Sequence, residues 1–296
     1  MPGAKAASMT SADVPLPRIS IVTPSLNQAR YIRHAVRSVL LQEYPNLEYM
    51  IFDGGSTDAT LRVVAPYLDR LAHFQRAPDK GQSDAIASGF ERSSGQIMGW
   101  LNSDDMLAPG ALAFVANYFA GHPEVDALYS HRCIVDESSR VRGYWILPRH
   151  HNYLMRRWDM IPQETCFWRR SLFEKAGNLN RSYHFALDYD LFLRFMAHGH
   201  FARVDRFLGA FRKHKEAKTP RLLKTSGRAE IAAARRENGV GILPGEQLLG
   251  AGFFRTVVAR GWLHARIGRP LPGSLRGVNY DYDAIWEGKL GDLEPG

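Results

Sequence analysis

Among 296 residues the chain has only two cysteines, Cys133 and Cys166. That is too few for a disulfide framework, and their spacing is not that of a zinc site. Buried free thiols and a reducing compartment are expected. No apolar run reaches the length needed to cross a bilayer. Residues Met1–Pro17 are small and polar, with prolines but no apolar core. They read as a disordered tail rather than a secretory leader, so a cytoplasmic protein is expected. There is no Gly-x-Gly-x-x-Gly and no Gly-x-x-x-x-Gly-Lys-Ser/Thr, which removes the dinucleotide fingerprint and the P-loop. No nucleic-acid-binding motif is present either.

What remains is an ordinary globular composition, 45% hydrophobic and 23% charged, with a formal net charge of +8. The excess is local: His200–Arg236 holds eleven Lys/Arg against three Asp/Glu. Such a window suits an anionic partner, or is simply a solvated basic face.

The first hundred residues alternate strand and helix patterns. Arg18–Thr23 reads as a strand running into a polar loop, and Tyr31–Leu40 repeats apolar residues at helical spacing. Leu47–Phe52 is a second strand, followed by Asp53-Gly-Gly-Ser-Thr-Asp58 and a helix over Ala59–Leu71. A third strand, Ala72–Arg76, leads into Ala77–Asp84 and another helix. Ile97–Leu101 is a buried strand ending in Asn102-Ser-Asp-Asp105. These β-loop-α units predict a parallel sheet whose strand ends gather Asp53, Asp79 and Asp104 along one ligand-binding edge. Adjacent carboxylates at such an edge can hold a divalent ion against a diphosphate. They can equally cap the helix that follows.

Further on, a helix over Ala111–Phe119, a strand near Val125–Tyr129 and a hairpin over Val135–Ile146 are expected. The basic, aromatic segment Pro148–Trp158 reads as a mobile loop over the site, its two adjacent histidines pointing apart. Leu187, Leu191, Phe192 and Phe195 mark a helix that Asp188 begins, and Phe201–Phe211 a last strand. Leu243–Arg269 has a broad apolar face interrupted by arginines. It is either packed on the domain or resting on anionic lipid.

Several stretches in combination resemble the inverting family 2 glycosyltransferases of GT-A fold that build bacterial surface polysaccharide. They are Val22-Thr-Pro-Ser-Leu-Asn27, Ser38-Val-Leu-Leu-Gln42, Asp53–Asp58, Lys80-Gly-Gln-Ser-Asp-Ala85 and Trp100-Leu-Asn-Ser-Asp-Asp105. The resemblance extends over about Ile19–His214. It implies a mixed, mainly parallel α/β sheet flanked by helices. A nucleotide-sugar half (18–105) and an acceptor half (106–215) would be followed by a basic, mostly helical extension (216–296).

The resemblance also implies roles. Thr23, Pro24, Ser25, Asn27, Asp53, Gly54, Asp79, Lys80, Ser83, Asn102, Ser103 and Asp104 would bind a nucleoside-diphosphate sugar, with UDP the expected nucleotide. Asn102 stands where the family's Asp-x-Asp motif begins with Asp. Asp104 would bind Mn2+ or Mg2+, with Asp105 and His214 as further candidates. Gln163, Glu164 and Asp190 would face the acceptor, a glycan or glycolipid. Asp188 would be the general base, with Leu187 where the family usually carries Glu. The enzyme would sit in the cytoplasm, in peripheral contact with the anionic inner face of the membrane. The competing readings are a nucleotide-sugar-binding module without turnover and a sugar nucleotidyltransferase.

Overall fold

A computed structural model describes residues 16–218 and 223–266. The expected tail before Leu16 and the stretch beyond Arg266 lie outside the described residues. Among the described residues nine strands form one sheet: β1 Ile19–Ser25, β2 Leu47–Asp53, β3 His73–Arg76, β4 Ile97–Trp100, β5 Met106–Leu107, β6 Ala127–Val135, β7 Val141–Trp145, β8 Phe167–Arg169 and β9 Phe201–Arg212. Their order is β3-β2-β1-β4-β8-β6-β9-β5, with β7 paired to β6. The first four run parallel. β8 is wedged antiparallel between β4 and β6, and β6 and β9 are parallel. The sheet is therefore mixed and mainly parallel, as expected.

Both faces of the parallel half are covered, which is why its strands read as nearly continuous apolar runs. Successive side chains leave opposite faces. Ile19, Ile21, Tyr49, Ile51 and Ile97 pack with α1 (Ile32–Leu40) and α4 (Ala111–Gly121). Val22, Met50, Phe52, Met98 and Trp100 pack with α3 (Gln82–Arg92) and α7 (Leu187–His198). Cys133 and Cys166 are free and buried.

Two expectations need revision. The helix drawn over Ala59–Leu71 is short, α2 Thr60–Val64, and continues as a 3-10 turn, Ala65–Arg70. Pro66 has no amide hydrogen to give the α-helical ladder, so the chain tightens there. Within the segment read as a loop, Asn152–Arg157 is helical (α5). His150 is turned to the Tyr129 hydroxyl, 3.1 Å away, while His151 is exposed.

After α6 (Arg170–Ala176) and α7, the chain beyond β9 folds back onto the body. α8 (Arg228–Glu237) lies against α7, and α9 (Glu246–Arg266) lies across β7.

Candidate active site

Parallel pairing brings the ends of β1, β2 and β3 level, Ser25 beside Asp53 and Asp53 beside Arg76. Three sequence motifs thereby meet at one sheet edge. Asp53 is buried, and its carboxylate accepts the amides of Gly55 and Ser56 (3.1 and 2.7 Å) and the Ser56 hydroxyl (2.5 Å). Asn27, at φ 52°, ties the neighbouring loop to this turn. Its amide donates to Ser56 Oγ and its side-chain oxygen accepts from Thr57. A Cβ on Gly54 would stand 2.8 Å from Asp79 Oδ2, so a larger residue there would displace the Asp79 carboxylate. Burial foremost, then Asp84 and Asp53, raises the Asp79 carboxyl. Ser25 Oγ is buried without a hydrogen-bond partner.

Other residues of the expected nucleotide set are turned to the protein itself. Thr23 Oγ1 meets the Tyr49 hydroxyl at 3.1 Å, and Pro24 lies in β1 opposite Phe52. Ser83 Oγ donates to the Arg181 carbonyl. Lys80 has an exposed side chain.

At the end of β4, Asn102 is held on three sides. Its oxygen accepts from Gln82 Nε2 (2.7 Å), and its amide donates to Gln163 (3.1 Å) and Asp105 (3.3 Å). Ser103 and Asp105 are buried, whereas Asp104 keeps solvent contact. The fully buried Arg212 fixes this turn. Its amide donates to Asp105 Oδ1 (2.9 Å) and its Nε to the Asp104 carbonyl (2.9 Å). Burial, and then the charges of Asp104 and Glu164, push the Asp105 carboxyl well above the usual range. Asp104 instead meets His214, with Oδ2 and Nε2 2.9 Å apart. The His214 ring lies 4.6 Å from Tyr31, and its Nδ1 is buried without a partner.

Among the described residues no three His, Cys, Asp or Glu side chains converge as a metal cage. A carboxylate oxygen facing an imidazole nitrogen fits a divalent ion that takes its other ligands from diphosphate and water.

The acceptor-side candidates diverge. Gln163 donates to the Trp100 carbonyl (2.7 Å) and braces Asn102. Glu164 is buried in a two-pronged pair with Arg132 (2.9 and 2.8 Å). Asp190 faces away, tied to Arg194 and Asn238. Asp188 is half-buried on the first turn of α7, and its Oδ1 accepts the Tyr189 amide (2.9 Å). Burial raises its carboxyl; hydrogen bonds, Arg132 and Lys218 oppose the rise.

The strand edge and α7 are joined by residues that no motif advertises. The Arg132 guanidinium lies over the Trp145 and Phe211 rings (4.3 and 4.7 Å). Its charge acts on Asp105, Asp159 and Asp188 alike. Asp159 has its carboxyl raised well above normal, by desolvation first and Asp188 second. Lys218 Nζ donates to Gln82 Oε1 (2.7 Å), the same Gln82 that holds Asn102, and its charge reaches Asp188. From α8, Glu230 Oε2 accepts the amides of His184, Phe185 and Ala186, which satisfies the exposed donors leading into α7. Glu230 thus anchors the chain that leads into α7, while the Tyr189 amide takes only Oδ1 of Asp188.

This sheet order, with acids gathered at its edge, is the GT-A architecture of nucleotide-sugar enzymes. The family model described as "Glycosyl transferase family 2" matches residues 20–179, and the chain belongs to that family. It is 27% identical over 190 residues to an uncharacterised glycosyltransferase of Rickettsia typhi, covering 61% of this chain and 59% of that protein. A PGL/p-HBAD biosynthesis glycosyltransferase of Mycobacterium bovis is 31% identical over 182 residues, 60% of this chain and 69% of the relative.

Among solved structures, S. aureus TarS 1-349 in complex with UDP-GlcNAc superposes with a TM-score of 0.62 at 15% identity, over 93% of this chain and 80% of that one. Mannosyltransferase PcManGT from Pyrobaculum calidifontis, in complex with GDP-Man and Mn2+, gives 0.53 at 18% identity, over 80% and 79%. These two likenesses establish the fold.

Proposed function

We propose that the chain transfers a sugar from a nucleoside-diphosphate sugar, UDP-linked, to a hydroxyl of a glycolipid or growing surface glycan, with inversion. The observation that carries this reading is the Asp104–His214 pair at the strand edge, beside Asp105 and Asn102, with Arg132 acting on Asp105 and Asp188 alike and Lys218, bonded to the Gln82 that holds Asn102, acting on Asp188. In this reading Asp188 takes the acceptor hydroxyl proton while that oxygen bonds to the anomeric carbon. The bond from that carbon to the diphosphate breaks on the opposite side. A carboxyl raised above its ordinary range is a better-matched base near neutral pH. A single base that needs no second carboxylate nucleophile gives direct displacement.

Asp104 and His214 would hold the metal, which neutralises the departing diphosphate. A mixed oxygen and nitrogen set favours Mn2+ over Mg2+, a harder ion that prefers oxygen. Asp105 stays outside this set because both its oxygens are engaged by Arg212 and Asn102. Among the described residues no helix is long and apolar enough to cross a membrane. A cytoplasmic enzyme meeting the membrane from its inner face fits this reading.

The test is a hydrolysis screen of UDP- and GDP-sugars with Mn2+, Mg2+ or chelator, on wild type and Asp104→Ala. Release of nucleoside diphosphate from one donor, abolished by chelator and by the variant, is expected. Release of pyrophosphate would replace the reading with nucleotidyl transfer.

A further inference from the structure

We infer that the outer face of α9 docks the protein on an anionic lipid surface and brings the acceptor side of the site to it. The acceptor half of this inference rests on the proposed transfer reaction; the docking half does not.

The inner face of α9 is firmly seated. Phe253 stacks on Trp158 (5.3 Å) and Phe254 packs edge-on against Trp145 (5.0 Å), with Val257 buried between. Glycines allow the approach. A Cβ at Gly250 would lie 2.6 Å from Trp158 Nε1, and one at Gly261 would collide with the Tyr144 carbonyl.

The outer face is apolar and largely exposed. Leu248 is 81% exposed, Leu249 63%, Trp262 56% and Leu263 49%, with Ile242 (77%) just before the helix. A helix that has already buried one side does not need this second apolar side for its own packing.

Charge chooses the occupant. Arg255 and Arg260 are exposed on α9, and the sequence has no acidic residue between Glu246 and Asp281. Apolar side chains and a tryptophan interspersed with arginines, without acids, match the boundary of a bilayer with anionic headgroups. A second copy would be a worse match. A two-fold contact sets the same patch against itself, arginines facing arginines.

The seat also lies beside the chemistry. Trp158, which carries Gly250, immediately precedes Asp159, whose carboxyl feels Asp188. Trp145, which carries Phe254, also carries Arg132. A surface bound along α9 would therefore lie next to the acceptor side.

The test uses the full chain with vesicles of phosphatidylglycerol mixed into phosphatidylcholine, and of phosphatidylcholine alone, in a sedimentation assay. Binding to the anionic vesicles is expected, weakening with salt. Leu248→Ser with Leu263→Ser should cut the bound fraction about tenfold or more, and so should Arg255→Glu with Arg260→Glu. Donor hydrolysis in solution should stay at the wild-type rate in both. No binding to anionic vesicles, or equal binding by the variants, overturns the inference. So does a concentration-dependent dimer that the leucine variant abolishes while vesicles bind nothing. Vesicle binding without any donor hydrolysis would leave docking standing and remove the transfer reading instead.

Discussion

Oδ2 of Asp104 and Nε2 of His214 lie 2.9 Å apart, although 110 residues separate them in sequence. The contact depends on the end of β9, where Arg212 grips the carbonyl of Asp104 and Lys213 donates to the Val135 carbonyl. If this pair holds the metal, Asp104→Ala should lower kcat by about 10²-fold or more, because the leaving diphosphate loses its neutralising charge. His214→Ala should lose less, and should need more Mn2+ to reach half its activity. A Mn2+ titration of each variant after chelation reads both effects. An unchanged Mn2+ requirement in His214→Ala would remove the histidine from the metal site.

Asp188→Asn isolates the base from its structural setting. Glu230 supplies the donors entering α7 with their acceptor, and an asparagine oxygen can still receive the Tyr189 amide. The variant should therefore melt like wild type while turnover falls on the order of 10²-fold or more. In wild type the raised Asp188 carboxyl must lose its proton before it can act. Activity should then fall on acidification at a pH above the ordinary carboxylate range. A variant retaining most of its turnover would reduce Asp188 to a structural role.

The fold of residues 18–105 was largely legible in the sequence, for a physical reason. Strand, loop and helix alternate there in order, so the residues at each strand end are local in sequence and adjacent in space. Asp53, Asn27 and Asp104 could all be placed by that rule. Arg132, Arg212, Glu230 and Lys218 could not. Each is an unremarkable basic or acidic residue in its own stretch and gains its role from contacts roughly 30 to 140 positions away. Glu164 was legible as an acid but not as a paired one, because Arg132 lies on another strand; Asp190 and Arg194, four residues apart on α7, form a pair that helical spacing does offer. The helix over Ala59–Leu71 failed where local chemistry should have warned, at Pro66.

The Arg132–Glu164 pair makes a stability prediction. Both side chains are nearly out of solvent, with burial disfavouring the guanidinium charge and Glu164 restoring it. Removing one partner leaves the other charge buried and unpaired. Arg132→Met or Glu164→Met should each cost about 3–5 kcal/mol. Arg132→Met with Glu164→Met should be much less destabilised than the two single losses added together. Urea unfolding of the four proteins gives the coupling directly. Additive losses would mean that the pair contributes packing rather than charge compensation.

His131 predicts how stability responds to acid. Burial foremost, with help from Arg203 and against the pull of Asp205, pushes its imidazole down to about 4. Nδ1 accepts the Leu147 amide at 3.1 Å, a bond that only the neutral ring can make. In the unfolded chain the same ring titrates near 6.5. Between those two values the unfolded state binds a proton that the folded state refuses, so this group's contribution to stability falls as the pH is lowered. The contribution is complete above about pH 6.5, and about 3 kcal/mol of it should be gone near pH 4. His150, also pushed down by burial, adds a slope of the same sign, so the informative quantity is a difference between proteins. His131→Gln should be less stable than wild type at pH 7 yet lose less on going to pH 5. Parallel stability curves for the two proteins across that window would show that the buried ring titrates alike in both states.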